Sequence, residues 1–162
     1  MAYRANQNQQ MRIDDSVSNL TKREQRILRG SWATAFAERV FPKINEERFA
    51  VLYSQDAASR PNTPVNIIIG AMLLKQAYGL TDEEVVETIA FDLRWQEALH
   101  TTSFEEQPFS DRTLSRFRER LLTYEEKTGI DLFKEEVESL AGIYAKSMNI
   151  NGRLKRMDSM TI

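Results

Sequence analysis

The stretch TPVNIIIGAMLLKQAYG, residues 63–79, constrains this chain more than any other. Between Pro64 and Gly79 the apolar side chains occupy nearly every direction of a helical wheel, so a helix here has no face to give to water. Such a helix has to be wrapped by other elements. Pro64 suits a first helical position, where its missing N–H costs nothing, and Thr63 stands before it as a cap. Gly79 suits the close. The rest of the chain is therefore expected to pack around 64–79.

The other segments also read as helices. LTKREQRILRG (20–30) predicts a short basic helix closed by Gly30. In SWATAFAERVF (31–41), Ser31 is a candidate N-cap, and Trp32, Phe36 and Val40 at i, i+4, i+8 form one apolar stripe. Pro42 punctuates, and INEERFAVLYS (44–54) predicts a further short helix with Ile44, Phe49, Leu52 and Tyr53 on its apolar face. After a loop at 54–64 and the apolar helix, Thr81 and Glu84 stand in capping-box spacing, with Val85, Val86 and Ile89 turned inward. LRWQEALH (93–100) is another short helix, with His100 near its end. A loop at 101–109 leads to Ser110, which caps 111–128, and Gly129 closes that helix. Residues 130–148 are amphipathic through Leu132, Phe133, Val137, Leu140, Ile143 and Tyr144. The acids at 82–87 and 135–138 read as solvated faces. The expected class is all-α: a compact multi-helix domain over 20–149, preceded by a disordered polar arm at 1–19.

Composition narrows the chemistry. The 162 residues fit one domain, or one domain and part of a second. No cysteine is present, which excludes disulfides, thiolate metal sites and a cysteine nucleophile. His100 is the single histidine, so an HExxH zinc site is excluded. No apolar run approaches the roughly 20 residues of a membrane span, and MAYRANQNQQ lacks the apolar core of a secretory signal. A soluble cytoplasmic chain with no membrane partner is the expectation. Net charge is −2, yet it is unevenly spread. Residues 1–30 hold six Lys/Arg against three acids, and residues 82–106 hold eight acids against Arg94 alone. Residues 110–120 turn basic again, with four arginines against Asp111 and Glu119. A local basic stripe can bind phosphate on a slightly acidic chain.

Two stretches could carry chemistry. In SDRTLSRFRERL, Leu114, Phe117 and Leu121 form a buried seam. Arg112, Arg116 and Arg120 share the opposite face at i, i+4, i+8, with Ser115 beside them. A capped helix, a connector and then an arginine-rich helix is the layout of a helix-turn-helix reader, although the 90–110 link exceeds a strict turn. A merely solvated amphipathic helix shows the same spacing. In the tail RLKRMDSMTI, Asp158 could be a metal ligand, since Mg²⁺ takes one or two carboxylates plus phosphate oxygens. A frayed polar terminus explains that tail equally.

Three motifs in order, YGLTDEEVVE, FDLRWQEAL and RTLSRFRERL, resemble the N-terminal module of bacterial insertion-sequence DDE transposases, the type called the InsH N-terminal domain. The resemblance spans residues 30–162. It implies a helical domain that binds the double-stranded terminal inverted repeats of a transposable element, followed by an RNase H-like catalytic domain. RMDSMTI resembles the first strand of that domain, which makes Asp158 the first carboxylate of a triad binding two Mg²⁺ ions. On this view 150–162 is an orphan first strand of a truncated catalytic domain. The fragment would then bind no cofactor and be inactive alone. The residues expected at DNA are Arg112, Ser115, Arg116 and Arg120, helped by Arg23, Arg26 and Arg29. The competing expectation is a helical interaction or oligomerisation module built on 64–79 and the acidic 82–97 region.

Overall fold

A computed structural model describes residues 1–6, 16–54, 62–102 and 110–147. Seven α-helices run in order among these residues: α1 (Lys22–Arg29), α2 (Trp32–Arg39), α3 (Val65–Tyr78), α4 (Asp82–Phe91), α5 (Leu93–Leu99), α6 (Asp111–Thr128) and α7 (Leu132–Ser147). Two 3-10 segments, Phe41–Lys43 and Glu46–Leu52, fill the interval between α2 and α3. The chain is helical, as its periodicity predicts, and no strand other than an isolated bridge occurs among the described residues. No described helix is long and apolar enough to cross a membrane.

α3 is the wrapped helix. Every residue from Val65 to Ala71 is buried, and Leu74 extends the buried row one turn further. Past Leu74 the helix emerges, and Gly79 ends it at φ +67, a left-handed turn that glycine enters without a Cβ penalty. Gly70 sits where α3 meets α5. A Cβ there would lie 2.7 Å from Leu99 Cδ2 and 3.4 Å from Phe41 Cδ2. The apolar surface of 65–71 is thus covered within the domain, which removes it as an oligomerisation face.

The N-terminus of α3 corrects an expectation. Thr63 does not cap it; Pro64 is the N-cap residue and offers no side-chain bond. Glu46 lies beside this end: its carboxylate accepts from the Asn6 N–H at 3.3 Å, and the backbone amides of Val65 and Asn66 favour its charged form. Burial nevertheless holds the Glu46 pKa above the ordinary carboxylate value. The segment supplying Glu46 is a 3-10 helix rather than the α-turns expected at 44–54. The 3-10 repeat of three places Glu46, Phe49 and Leu52 in one row. That row faces inward: Phe49 is fully buried, and Glu46 and Leu52 are half-buried.

Three further faces differ from their patterns. In α2 the residues of closest approach are Ala33 and Ala37, both buried, while Trp32, Phe36 and Val40 flank them half-buried. Small side chains let α2 lie close against α5, its main neighbour. In α7 the inward row is Leu132, Glu136 and Leu140, whereas Val137 and Ile143 are exposed; the side chain of Tyr144 lies outside the described residues. Glu136, expected in solvent, is 1% exposed. It accepts from the Asn45 backbone N–H at 2.8 Å and from Arg48 Nε at 2.9 Å. That buried carboxylate ties α7 to the start of the second 3-10 helix.

The start of the chain is packed as well. Ala2 is buried and forms a parallel bridge with Ser54, and Ser54 N–H donates to Met1 O at 3.1 Å. Arg4 N–H donates to Asn62 Oδ1, and Tyr3 lies 6.0 Å from Tyr53 between ring centres. Ser16 is buried, its N–H donating to Thr102 O. Residues 1–6 and 16–19 thus make contacts with the domain, and residues 7–15 lie outside the described residues. Backbone pairing joins a few apolar contacts here, Ala2 being buried and Tyr3, Val17 and Leu20 packing on the core. His100 also does more than trail a helix. It takes the left-handed conformation at φ 56 that ends α5, and its ring lies 4.6 Å from that of Phe41.

Candidate nucleic-acid interface

The 111–128 segment forms one helix because its start and end signals are local. Ser110 is the N-cap, its N–H donating to Thr113 Oγ1 at 3.4 Å, and Asp111 occupies the first turn, where the helix dipole favours a carboxylate. Gly129 closes the helix at φ +74. Leu114 and Phe117 are buried, with Phe117 meeting Phe49 at 5.9 Å. Leu121 is half-buried, so the expected seam is real but loosens toward the C-terminus.

The roll of α6 about its axis is set by a polar contact as well. Arg118 grips Asp82 with both guanidinium nitrogens, one at 2.8 Å from Asp82 Oδ1 and the other on Oδ2. Lys75 Nζ reaches the same carboxylate at 3.3 Å. Asp82 therefore joins α3, α4 and α6, and is not the solvated acid its neighbourhood suggested. The Arg118 hydrogen bond is the chief reason its pKa is held below the ordinary aspartate value. α6 packs on α4, on the second 3-10 helix and on α7. The interval from Leu99 to Asp111 separates it from α5, so no strict helix-turn-helix turn precedes it.

This packing sorts the arginines. Arg48, Arg94 and Arg118 are each paired to carboxylates. Arg112 and Arg116, one turn apart and both exposed, have no ion-pair or hydrogen-bond partner among the described residues. Ser115 is exposed beside them, its hydroxyl donating to Asp111 O at 3.1 Å and keeping its lone pairs. Arg120 departs from the expected face. It is half-buried, its guanidinium carbon 4.8 Å from the centre of the Tyr53 ring and one nitrogen 3.8 Å from Met1 Sδ. Two steps of i, i+4 rotate around a helix by tens of degrees, and the third arginine has turned onto the flank.

Arg23, Arg26 and Arg29 are exposed on α1, a helix with a Thr21–Glu24 capping box that packs on α2. They form a second basic surface, carried by different neighbours from those of α6. Asp158 lies outside the described residues. Among the described residues, no group of three or more His, Asp or Glu side chains is placed to hold a metal ion. Sequence reasoning missed Tyr53, Thr113 and Met1 as neighbours of the α6 arginines. No local pattern signals them, because Met1 and Tyr53 reach α6 through long-range pairing.

A family model described as Transposase domain (DUF772) matches residues 23–120. No curated protein and no solved structure matches the chain.

Proposed function

The chain belongs to the transposase domain family (DUF772), which gives it a transposase-related role, and from that premise we propose that it is a DNA-binding part of a transposase. In this reading α6 meets the terminal inverted repeats through Arg112, Ser115 and Arg116, with Arg112 and Ser115 toward the major groove, and Arg23, Arg26 and Arg29 contact phosphates. The observation that supports it is the sorting of arginines. A solvated helix face normally balances its charges, yet Arg112 and Arg116 stand exposed without a counter-ion while Arg118 beside them is paired. Unneutralised guanidinium groups on a rigidly held helix suit bases and phosphates. Asp158 is proposed, on the resemblance of its surroundings alone, as one carboxylate of a two-metal phosphodiester site.

The test is binding of the chain to duplexes carrying the inverted repeats that flank its reading frame. At moderate salt these should be preferred over random duplex, and Arg112→Ala should weaken specific binding by about 1–3 kcal/mol. Equal affinity for both duplexes removes repeat recognition, and an unchanged Arg112→Ala affinity removes α6 as the reader.

A further inference from the structure

A small recess of about 40 Å³ lies on the flank of α6, beside the exposed face. Its polar lining comes from Arg116, Arg120, Thr113, Thr63 and Tyr53, the remainder is apolar, and no carboxylate lines it among the described residues. Two guanidinium groups one turn apart thus share a recess without a counter-charge. Arg116 has no partner among the described residues. Arg120 meets the Tyr53 ring and hydroxyl and the Met1 sulfur, none of which carries a counter-charge. A guanidinium stacked on a ring keeps its in-plane N–H donors. Thr113 Oγ1 accepts from the Ser110 N–H, which leaves its own proton to donate.

Paired guanidinium forks, hydroxyl donors and an apolar wall match a tetrahedral oxyanion. We propose that this pocket seats one phosphate of a DNA backbone, clamped by Arg116 and Arg120 with Thr113 as a further donor. The proposal rests on the DNA-binding reading and divides its labour. Arg112 and Ser115 are left to read bases, while Arg116 and Arg120 fix where α6 sits on the duplex. The N-terminal segment takes part, because the Ala2–Ser54 bridge holds Met1 and Tyr53 against this flank.

Two measurements on the whole chain test it. In the first, inorganic phosphate is titrated against chloride-matched buffer while arginine Nε–H resonances are followed. Arg116 and Arg120 should move together on one saturating curve while Arg112 stays still; an equal drift of all three overturns the pocket. In the second, affinity for duplex DNA is measured across a potassium chloride series. Arg116→Gln and Arg120→Gln should each flatten the slope of log K against log salt by about 0.9 and leave the preference between duplex sequences unchanged. Unchanged slopes, or a preference that shifts with Arg116→Gln, overturn the assignment. Should Arg120→Gln not fold, Arg116→Gln carries the test alone. Phosphate shifts in a chain that binds no duplex refute the DNA source and, separately, the proposed function.

Discussion

Replacing Glu136 with alanine should destabilise this protein more than any other single carboxylate change on α7. Its carboxylate is 1% exposed and accepts from two donors, the Asn45 N–H at 2.8 Å and Arg48 Nε at 2.9 Å. The Asn45 N–H lies at the N-terminus of a 3-10 helix and has no side-chain cap of its own. Removing the acceptor from a fully buried pair costs about 3–5 kcal/mol. Arg48 is not fully buried: its side chain is 24% exposed, and Glu135 stays bound to it at 2.6 Å. Those two facts place the expected loss below that range, at about 2–3 kcal/mol. Glu135 is the internal control. It holds the same arginine but is 48% exposed, so Glu135→Ala should cost no more than about 1 kcal/mol. Urea unfolding followed by circular dichroism reads both. With a slope of about 2 kcal/mol per molar, Glu136→Ala should lower the midpoint by roughly 1–1.5 M. A Glu136→Ala loss of less than about 0.5 kcal/mol, or a larger loss for Glu135→Ala, would refute the argument that burial decides which acid matters.

Three other perturbations follow from single contacts. Asp82 has a folded pKa below its unfolded value near 3.8, so its stabilisation is present above that pH and lost as pH falls through the folded pKa. Asp82→Asn should therefore flatten the acid limb of a stability–pH curve; an unchanged limb would sink the idea that it joins three helices as an ion. Burial, helped by Glu46 and Glu47, pushes the Tyr3 hydroxyl from 10.0 to about 12, and that buried hydroxyl has no hydrogen-bond partner among the described residues. Stability should fall as pH rises from about 10 to 12, and Tyr3→Phe should reduce that fall, Tyr53 being raised by burial as well, without loss at neutral pH; a loss above about 1 kcal/mol at neutral pH contradicts it. Gly70→Ala gains roughly 1 kcal/mol of helix propensity but drives a Cβ against Leu99, which is fully buried and cannot swing away. Overpacking of about 1–3 kcal/mol should win, and a raised melting temperature would show that α5 can yield.

What was legible in the sequence was local. The Thr81–Glu84 box, the Ser31 and Ser110 caps and the closures at Gly79 and Gly129 all rest on contacts within a few residues, and each appears in the structure. The all-round apolar character of 65–71 required a wrapped helix, and α3 is one. The family signal was also sequential, since the motifs from YGLTDEEVVE to RTLSRFRERL lie, but for the final Leu121, inside the matched residues 23–120.

Charge pairing was not legible, because its partners are far apart along the chain. Arg48 and Glu136 are separated by 88 positions, and Arg118 and Asp82 by 36. Spacing put Arg112, Arg116 and Arg120 on one face, but packing turned Arg120 onto Tyr53, placed Arg118 on Asp82 and left Arg112 and Arg116 without a counter-ion among the described residues. Periodicity reports which side of a helix is apolar, but not what the opposite side meets. By itself, then, the sequence determined the helices, their ends, the central position of α3 and the family. Only the tertiary structure decided which acids are buried and which arginines keep their charge free, because desolvation and ion pairing depend on neighbours that the chain brings together by folding.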